Sequence, residues 1–332
     1  MKNILIISDG IPGHFNQSKG VASILAKRHI SRISIVDLKF KSYQLRGFIT
    51  FLSRLLMRMP NKLTAKFTSF LYSSIDTNKF DLVIASGGNT AAFTAALKIL
   101  NDVPLIQLGS PRGLHSSLFN ALVTAERYHE DSSNVIASIT PNLYSPEVCA
   151  SAAKEKDLKE HLLFLIGGEG IGYSYQKKEW DSLIVVIKNL YKKTNLPITI
   201  VTSRRSDPEV EKKFQSDLKN IPLEYSVWFH KGAKDFNLAP LFGSAKNIFV
   251  TEDSAMMISE SISSGKPVTT LFPIDIKSPM RYKAHIHKYL DLGLITRESI
   301  EDFSIKEIEN SSFNVQNHLS TLCDQLEKRI LW

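Results

Sequence analysis

The sequence predicts an α/β protein with two Rossmann-like domains, each built on a doubly wound parallel sheet. Short apolar runs alternate with helix-compatible stretches along the chain, a pattern typical of parallel strands joined by helices. A polar stretch near residues 145–160 separates the runs into two sets, and 332 residues suffice for two domains of roughly 150 residues each. Functional turns belong at the carboxyl ends of such strands. We therefore expect the two domains to face one another across a cleft.

The strands are predicted from apolar, β-rich runs of strand length. The first set comprises Ile4–Ile7, Ile33–Val36, Leu82–Ala85, Leu105–Leu108, Ala121–Val123 and Val135–Ile136. The second set comprises Leu162–Ile166, Ile198–Val201, Glu224–Trp228, Ile248–Val250 and Val268–Phe272. We place the domains at residues 1–150 and 151–332, because Pro146 and the polar run from Lys154 to Glu160 interrupt the apolar pattern. The last helix is a candidate to pack back on the first domain.

Composition indicates a globular protein with a sizeable core, since 43% of the residues are hydrophobic and 22% are charged. Cys149 and Cys323 are too few and too far apart to suggest a disulfide framework or a zinc site. Met1–Ser8 has the pattern of a first strand and lacks the features of a signal peptide. No apolar run approaches the length of a membrane span. We expect a cytoplasmic protein.

The formal net charge of +8 favours anionic partners. The basic residues from Lys39 to Lys66 face no acidic residue, and apolar residues recur there at helical spacing, with Phe51 and Met57 expected to be exposed on the flank. Residues 41–66 therefore suit peripheral contact with an anionic membrane on its inner, cytoplasmic face. A core-packed helix with a solvated basic face is the alternative. Nucleic acid is not an expected partner, because no aromatic and basic RNA module or helix-turn-helix signature is present.

The segment from Val250 to Glu260 is the most informative part of the chain. An apolar strand ends at Val250, Thr251 to Ser254 supply a turn with capping side chains, and a helix is expected over residues 255–263. Such a turn aims free N–H groups at the carboxyl end of the strand, where an anionic phosphate is best held. Glu260, further along the helix, is placed to reach sugar hydroxyls of a ligand. An ordinary capped strand–helix–strand unit explains the same pattern equally well.

A second candidate site follows the strand that ends at Val201. It contains two hydroxyls and two arginines, Thr202, Ser203, Arg204 and Arg205. Guanidinium groups bind phosphate oxygens in a bidentate fork, so this pattern suits a diphosphate. Two solvated arginines in a loop are the alternative. We favour phosphate binding because this turn, the Gly167-Gly168 turn and the Thr251–Ser254 turn are expected at the same edge of one sheet.

Each set of strands begins with an apolar strand that runs into a glycine-rich turn, Ser8–His14 in the first set and Gly167–Gly170 in the second. Neither turn has the spacing of a dinucleotide fingerprint or a P-loop. Glycine is expected there to let a substrate approach the backbone. Two Rossmann-like halves of this kind suggest a GT-B-type glycosyltransferase architecture.

A set of motifs also resembles the mitochondrial fission Elm-type family. In chain order they are Ser8-Asp9-Gly10, Gly13-His14, Asn16-Gln17, Ile166-Gly167-Gly168, Thr202 to Arg205, Thr251-x-Asp253-Ser254-x-x-Met257-x-x-Glu260, Gly265-Lys266-Pro267, Arg281 and Leu290 to Gly293. The resemblance covers nearly the whole chain, and its bacterial members are similar to GT-B glycosyltransferases, some of them associated with the outer core of lipopolysaccharide or lipooligosaccharide. It implies a transferase that uses a nucleotide-activated sugar and a glycan or glycolipid acceptor.

The departures from that family lie in the first half. The chain has Ser110-Pro111-Arg112 where Asp-Pro-Arg is usual, Ala125 to Glu130 where Pro-x-His-Asp is usual, and Thr140-Pro141-Asn142 at a Thr-Gly-type turn. In this architecture the first half usually handles the acceptor. We interpret the pattern as a shared donor mode with a divergent acceptor, and we assign Gly10, Gly13, Asn16, Gln17 and Arg112 to the acceptor side.

The expected reaction is a direct, metal-independent, inverting transfer that needs no cofactor. The donor-binding residues are expected to be Gly167, Gly168, Thr202, Ser203, Arg204, Arg205, Thr251, Asp253, Ser254, Met257 and Glu260. The arginines would neutralise the leaving diphosphate, and no Asp-x-Asp motif or His/Asp cluster suggests a metal. The general base is expected in the first domain, where His14 and Asp9 are the candidates and His129 and Glu130 are held in reserve.

Two other functions fit the same pattern. A nucleotide-sugar 2-epimerase shares the two domains and the phosphate-binding turns but needs acid–base groups around the sugar instead of an acceptor site. A non-catalytic, membrane-associated adaptor would bind no nucleotide. Nucleotide binding and turnover of the donor alone distinguish the three.

Overall fold

The computed structural model describes residues 1–232, 236–303 and 315–332. The chain divides into two compact units, one of Met1–Leu143 with Asn317–Trp332 and one of Tyr144–Gln316. The division falls a little before residue 150, because the helix that begins at Pro146 packs within the second unit. No helix in the described part of the chain is long and apolar enough to cross a membrane.

The first unit is a six-stranded parallel sheet in the order β2-β1-β3-β4-β5-β6. Its strands are β1 (Lys2–Ser8), β2 (Ser31–Asp37), β3 (Leu82–Ser86), β4 (Leu105–Leu108), β5 (Ala121–Thr124) and β6 (Asn134–Ile136). Its helices before the division are α1 (Pro12–Ala26), α2 (Arg46–Leu56), α3 (Lys62–Phe70) and α4 (Ala91–Asn101). Strand order reverses between β1 and β3, which places the ends of these two strands at a topological switch point.

The second unit is another six-stranded parallel sheet, in the order β10-β9-β7-β11-β12-β14. Its strands are β7 (His161–Ile166), β9 (Ile198–Thr202), β10 (Leu223–Val227), β11 (Ala245–Thr251), β12 (Val268–Phe272) and β14 (Thr296–Ser299), and the short β8 (Tyr173–Ser174) and β13 (Asp275–Ile276) form an antiparallel pair. Its helices are α5 (Pro146–Lys156), α6 (Lys177–Thr194), α7 (Pro208–Asp217), α8 (Ala239–Ser244), α9 (Ala255–Ser263) and α10 (Met280–Asp291).

The last helix, α11 (Val315–Ile330), belongs to the first unit except for its first two residues. Its apolar stripe lies in the same core as Ile4 and Ile6 of β1, and the buried members of the stripe are Leu322, Cys323, Leu326 and Ile330. Two residues that follow α1 hold the exposed side of the helix: Arg28 Nη1 lies 3.0 Å from Glu327 Oε2, and His29 Nε2 lies 2.8 Å from Glu327 Oε1. The C-terminal residues therefore complete the core of the N-terminal sheet.

Alternating residues of β1 and β3 fill two cores. Leu5 and Val83 face the side covered by α4, while Ile4 and Leu82 face the side covered by α1 and α11. Every strand predicted from the apolar runs is present within a few residues of its expected bounds, and α9 begins and ends where it was predicted. The sequence analysis missed β14, since Thr-Arg-Glu-Ser contains no apolar run. It also missed the two-residue strands β8 and β13.

The packing of α8 on α5 gives a direct test of the second unit. A Cβ atom at Gly243 would lie 2.0 Å from the carbonyl oxygen of Cys149, so Gly243→Ala forces the two helices apart. We expect the free energy of unfolding to fall by about 1–3 kcal/mol. Gly47→Ala is the matched control, because nothing lies within 4 Å of its Cβ position in α2, and it should raise stability by up to about 1 kcal/mol. Urea unfolding measures both, and equal stability of the two variants would contradict this packing.

Candidate functional site

Three predicted turns of the second unit do come together. β9, β7 and β11 are neighbours in the sheet, so their carboxyl ends lie side by side. The N–H of Gly167 after β7 donates to Thr251 Oγ1 at 2.7 Å. Ser206 Oγ, in the turn after β9, donates to the Gly167 carbonyl oxygen at 2.7 Å. These bonds fasten the three turns into one surface at the sheet edge.

The glycines of this edge are required by the protein itself. A Cβ atom on Gly167 would lie 2.0 Å from Asp253 Oδ1, and one on Gly168 would lie 2.0 Å from the carbonyl oxygen of Arg205. Both glycines are buried. We expected them to let a substrate approach the backbone, whereas their lack of a side chain first lets the neighbouring turns approach. The two residues hold the β9 and β11 turns close enough to form a single site.

The predicted pair of arginines divides into two different roles. Arg205 Nη1 donates to the carbonyl oxygen of Asp253 at 2.8 Å and to its carboxylate Oδ2 at 3.1 Å. The Asp253 side chain is fully buried, and burial raises its pKa although hydrogen bonds from Thr251 and Arg205 oppose that rise. Arg205 therefore neutralises a buried carboxylate and holds the β11 turn. Arg204, the residue before it, is exposed on the same turn and is the arginine available to an anionic ligand.

A second buried ion pair was missed by the sequence analysis. The Glu252 carboxylate is fully buried. It accepts hydrogen bonds from Arg297 Nε at 2.7 Å, from Arg297 Nη2 at 2.9 Å and from Thr270 Oγ1 at 2.7 Å. The Arg297 guanidinium also lies 3.9 Å from the centre of the Phe272 ring. An acidic residue at the end of an otherwise apolar strand was the only available signal. The Arg297 pair fixes the residue between Thr251 and Asp253 and so defines the shape of the turn.

Two tyrosines lock the backbone of the same turn. Tyr175 Oη accepts from the Glu252 N–H at 2.9 Å, and Tyr282 Oη donates to the Glu252 carbonyl oxygen at 2.6 Å. Both rings are largely buried, and burial raises the pKa of each phenol. Both groups therefore stay protonated and act as neutral hydrogen-bonding partners. The β11 turn is thus rigid before any ligand arrives.

Helix α9 starts at this rigid turn. Ser254 is the N-cap and accepts from the Met257 N–H at 3.5 Å, while Met257 is partly exposed. The free N–H groups of the first helical turn give this end a partial positive charge. Glu260 lies on the same helix, and burial raises the pKa of its carboxyl to about 7. The edge thus combines helix-terminal amides with the exposed Arg204, and the helix that starts there carries a carboxyl that ionises near neutral pH.

Thr202 and Thr251, two of the predicted donor-binding residues, are buried and have a structural role. Thr202 is buried, and its hydroxyl donates to Glu211 Oε1 at 2.5 Å and accepts from the Phe229 N–H at 2.9 Å. Thr251 is fully buried and bonded to Gly167. Ser203 is partly exposed, and its hydroxyl accepts from the Arg205 N–H at 3.1 Å. These side chains shape the two turns from beneath.

The candidate base, His14, lies in the first turn of α1, and Asp9 lies in the loop between β1 and α1. His14 Nδ1 is 3.0 Å from Asp9 Oδ2, and Asn89 Nδ2 donates to the same oxygen at 3.3 Å. The Asp9 side chain is 3% exposed and that of His14 is 34% exposed. The carboxylate favours the tautomer with its hydrogen on Nδ1, which leaves Nε2 as the basic nitrogen. The pair has the geometry of a carboxylate-oriented general base, with Asp9 as the orienting group.

A glycine turn after β3 lies against His14 and Arg112. The turn was not identified from the sequence. A Cβ atom on Gly87 would lie 2.2 Å from His14 Nδ1, and one on Gly88 would lie 2.2 Å from Arg112 Cγ. Gln107, buried in β4, donates to the Gly87 carbonyl oxygen at 3.0 Å. The turn therefore makes room for both predicted side chains. Its sequence, two glycines directly after an apolar strand, is the signal that was applied to the other turns but not to this one.

Arg112 has a basic neighbour from α2. Arg54 Nη2 donates to the Gly88 carbonyl oxygen at 3.2 Å. Burial lowers the pKa of Arg54, and the positive charge of Arg112 lowers it further. Arg112 itself has a positive φ of 53°. Two guanidinium groups held close together at a sheet edge favour an anionic group between or beside them.

The remaining acceptor-side candidates lie around the same turns. Gly10 is exposed with a φ of 78° and its N–H donates to Ser8 Oγ at 3.0 Å. Gly13, Asn16 and Gln17 are partly exposed on α1, where Gln17 Oε1 accepts from Ser86 Oγ at 3.1 Å.

The reserve residues His129 and Glu130 lie in the loop between β5 and β6. The His129 ring lies 4.4 Å from that of His115, and Glu130 pairs with Arg127 at 3.1 Å. Within residues 1–232, 236–303 and 315–332, no group of three or more His, Cys, Asp and Glu residues could hold a metal ion.

The chain is similar to known proteins in sequence and in fold. The model of a family described as Mitochondrial fission ELM1 matches residues 12–312. The uncharacterized protein RP120 of Rickettsia prowazekii (strain Madrid E) is 23% identical over 93% of this chain and 95% of its own length.

Among solved structures, UDP-GlcNAc 2-epimerase from Methanocaldococcus jannaschii is similar over 98% of this chain and 92% of that chain, with a TM-score of 0.52 and 12% identity. ADP-heptose lps heptosyltransferase II of E. coli matches over 99% of each chain, with a TM-score of 0.44 and 14% identity. The likeness to the epimerase agrees with the predicted fold of two Rossmann-like α/β units, each built on a parallel sheet.

Breaking the Arg205–Asp253 pair tests its structural role. Arg205→Ala leaves a buried carboxylate without its partner, and we expect the free energy of unfolding to fall by about 2–3 kcal/mol, less than for a fully buried pair because Arg205 is 27% exposed. Adding Asp253→Asn should recover most of the loss, since the uncompensated charge is then removed. Arg204→Ala is the neighbouring control and should leave stability unchanged in urea unfolding at pH 7. An Arg205→Ala variant as stable as the parent would contradict the assignment.

Glu260 gives a pH-dependent prediction. The pKa of its carboxyl is about 7 in the folded chain against 4.5 as the ordinary value. Because the folded chain holds the protonated form more favourably than the ionised form, the free energy of unfolding falls as the pH rises from about 4.5 to 7. Glu260→Gln should therefore raise the free energy of unfolding by about 1–3 kcal/mol at pH 8 and leave it unchanged near pH 4. Glu155→Gln, at an exposed position of α5, should show no such pH dependence. A difference for Glu260→Gln that is constant with pH would refute the shift.

Proposed function

The chain belongs to the mitochondrial fission ELM1 family, and we propose that it is a glycosyltransferase that moves a sugar from a nucleotide-activated donor to a glycan or glycolipid acceptor. The observation that carries this proposal is the convergence of three glycine- and hydroxyl-rich turns on the N-terminus of α9 in the second unit. The lipooligosaccharide core is the acceptor class that the family resemblance suggests.

The donor is assigned to the second unit. A diphosphate carries negative charge that suits the amides at the start of α9 and the exposed Arg204. Glu260 lies on the same helix, six residues after the Ser254 cap, and its ionised carboxylate can accept hydrogen bonds from ribose or sugar hydroxyls. Because Asp253 and Glu252 are each neutralised by an arginine, their charges do not oppose an anionic ligand.

The acceptor is assigned to the first unit. In the proposed reaction an acceptor hydroxyl oxygen attacks the anomeric carbon of the donor, while the bond from that carbon to the diphosphate oxygen breaks. His14 Nε2 takes the hydroxyl proton, and Asp9 stabilises the imidazolium that forms. The nucleoside diphosphate leaves with the electron pair, and Arg204 and the α9 amides stabilise its charge. A single displacement of this kind inverts the anomeric centre.

Nucleotide binding is the first test. Thermal unfolding is measured with UDP, GDP, ADP and CMP and with their sugar conjugates, and the matching ligand at saturation should stabilise the protein by a few kcal/mol. Arg204→Ala should lower the affinity for that ligand by about 10- to 100-fold, since the substitution removes a charge-assisted hydrogen bond. Arg32→Ala, an exposed arginine of β2, is the control and should bind as the parent does. Stabilisation by none of the nucleotides would favour a non-catalytic adaptor.

Turnover is the second test. His14→Ala should lower kcat by about 100-fold or more while donor affinity stays constant, because a base acts on the transition state. Asp9→Asn should give a smaller loss, since it misorients the ring without removing it. The donor is also incubated alone: an epimerised nucleotide sugar without any acceptor would replace the transferase by an epimerase. A His14→Ala variant with full activity would move the base to another residue.

A further inference from the structure

Helices α2 and α3 present an unusual surface. Eight large apolar side chains of these helices and their flanks are each at least half exposed, namely Leu45, Phe48, Phe51, Leu55, Met59, Leu63, Phe67 and Phe70. Most follow one another at intervals of three or four residues, so they form stripes along the two helices. We call this set the α2–α3 surface. Exposed large apolar side chains clustered in this way mark an interaction site.

Several of the buried residues on these two helices are small or polar. Ser53, Ala65 and Thr68 are fully buried, where large apolar residues would be the usual choice for a core-facing stripe. Ile49 and Met57 are the larger anchors, at 5% and 0% exposure. Met57 was expected on an exposed flank, and that prediction is wrong, because the chain turns inward there at the end of α2. The helices therefore keep their bulk of apolar area on the outside.

The hairpin that carries this surface is well defined. Asn61 caps α3 by accepting from the N–H groups of Leu63 and Thr64, at 2.8 and 3.0 Å, and Thr64 Oγ1 accepts from the Asn61 N–H at 3.0 Å. Helices α2 and α3 pack against each other and against α4 of the first unit. The exposure thus belongs to ordered helices held on the sheet.

The charge around the surface has one sign. Between Asp37 and Asp76 the chain contains no acidic residue, and its seven basic residues are Lys39, Lys41, Arg46, Arg54, Arg58, Lys62 and Lys66. The Nζ of Lys41 lies 3.6 Å from the centre of the Phe70 ring, and the Arg46 guanidinium lies 4.9 Å from that of Tyr43. Positive charges are therefore held directly over the aromatic groups.

We propose that the α2–α3 surface docks on an anionic lipid bilayer, with its aromatic and aliphatic side chains inserted at the interface and its basic residues among the lipid phosphates. Aromatic residues flanked by lysine and arginine are typical of helices that lie in the interface plane. The core of a protein interface is depleted in lysine. A second copy of this chain would bring seven more positive charges to the same contact. A membrane supplies both the apolar phase and the negative charge.

The position of α2 connects this surface to the site. Arg54 of α2 donates to the Gly88 carbonyl oxygen at 3.2 Å, beside Arg112. The Nη2 of Arg58 lies 3.4 Å from the Cβ position of Gly113, next in sequence to Arg112. The acceptor-side turns therefore adjoin the docking surface within one unit. If the glycosyltransferase function holds, on which this step rests, the acceptor is carried by a lipid, and its phosphate is the group that Arg54 and Arg112 receive.

Vesicle sedimentation tests the docking surface. The full chain is mixed with phosphatidylglycerol–phosphatidylcholine vesicles and with pure phosphatidylcholine vesicles, and it should bind only the first, with binding that falls as salt is added. The triple variant Phe48→Ser, Phe51→Ser, Phe67→Ser should lose binding by at least about tenfold. Its control is Ile30→Ser, Val148→Ser, Val185→Ser, which removes exposed apolar side chains elsewhere and should bind as the parent does.

Charge is tested in the same assay. Lys62→Gln with Lys66→Gln should weaken binding about tenfold or more, whereas Lys192→Gln with Lys219→Gln, both exposed in the second unit, should not. Failure of the parent to bind anionic vesicles, or binding by the triple serine variant equal to the parent, would overturn the proposal. So would a vesicle-free dimer that the triple serine variant converts to a monomer.

The docking surface and the enzyme are separable by experiment. Vesicle binding needs no nucleotide, and nucleotide stabilisation needs no membrane. If the protein binds vesicles but no nucleotide, the docking surface is supported, and the transferase function and the lipid-borne acceptor are refuted. If a nucleotide stabilises the protein but vesicles do not bind it, only the docking surface is refuted.

Discussion

Compensation of buried carboxylates is the constraint on which the second unit depends. Asp253 and Glu252 follow one strand and are both fully buried, which is costly for adjacent anions unless each is paired. Arg205 and Arg297 approach from opposite sides of β11, one from the turn after β9 and the other from β14, each two strands away in the sheet. The turn is thereby tied to strands on both sides. A turn fixed in this way presents the α9 amides without having to be ordered by a ligand.

The two units use the same device for different chemistry. In each, adjacent strand ends meet because glycines leave room for a side chain from a neighbouring turn, Asp253 against Gly167 and His14 against Gly87. In the second unit the side chain that enters is neutralised and serves as a support. In the first unit the imidazole that enters stays one-third exposed beside a buried carboxylate, so the same kind of packing leaves a ring accessible at the surface.

Much of the fold could be predicted from the sequence because strands buried on both faces are continuous apolar runs. The positions of the site turns followed from those runs, and so did α9, whose Ser254 cap and closing Gly265 are local signals. The ion-pair partners of Asp253 and Glu252 could not be predicted. Arg205 and Arg297 look alike as isolated basic residues, and only the strand order brings them to acidic neighbours. For α2 the sequence left two alternatives open, since an apolar stripe has the same spacing whether it faces a core or a membrane. The exposure expected for Phe51 is confirmed and that expected for Met57 is not.

The return of α11 to the first sheet has a consequence for how the chain is made. A ribosome releases residues 1–143 long before it releases the helix that covers Ile4 and Ile6. The second unit has all of its strands available earlier than the first unit has its complete core. Because α11 leaves the ribosome after β14, we infer an order of maturation in which the second unit closes first and the first unit, with its basic hairpin, completes its core afterwards.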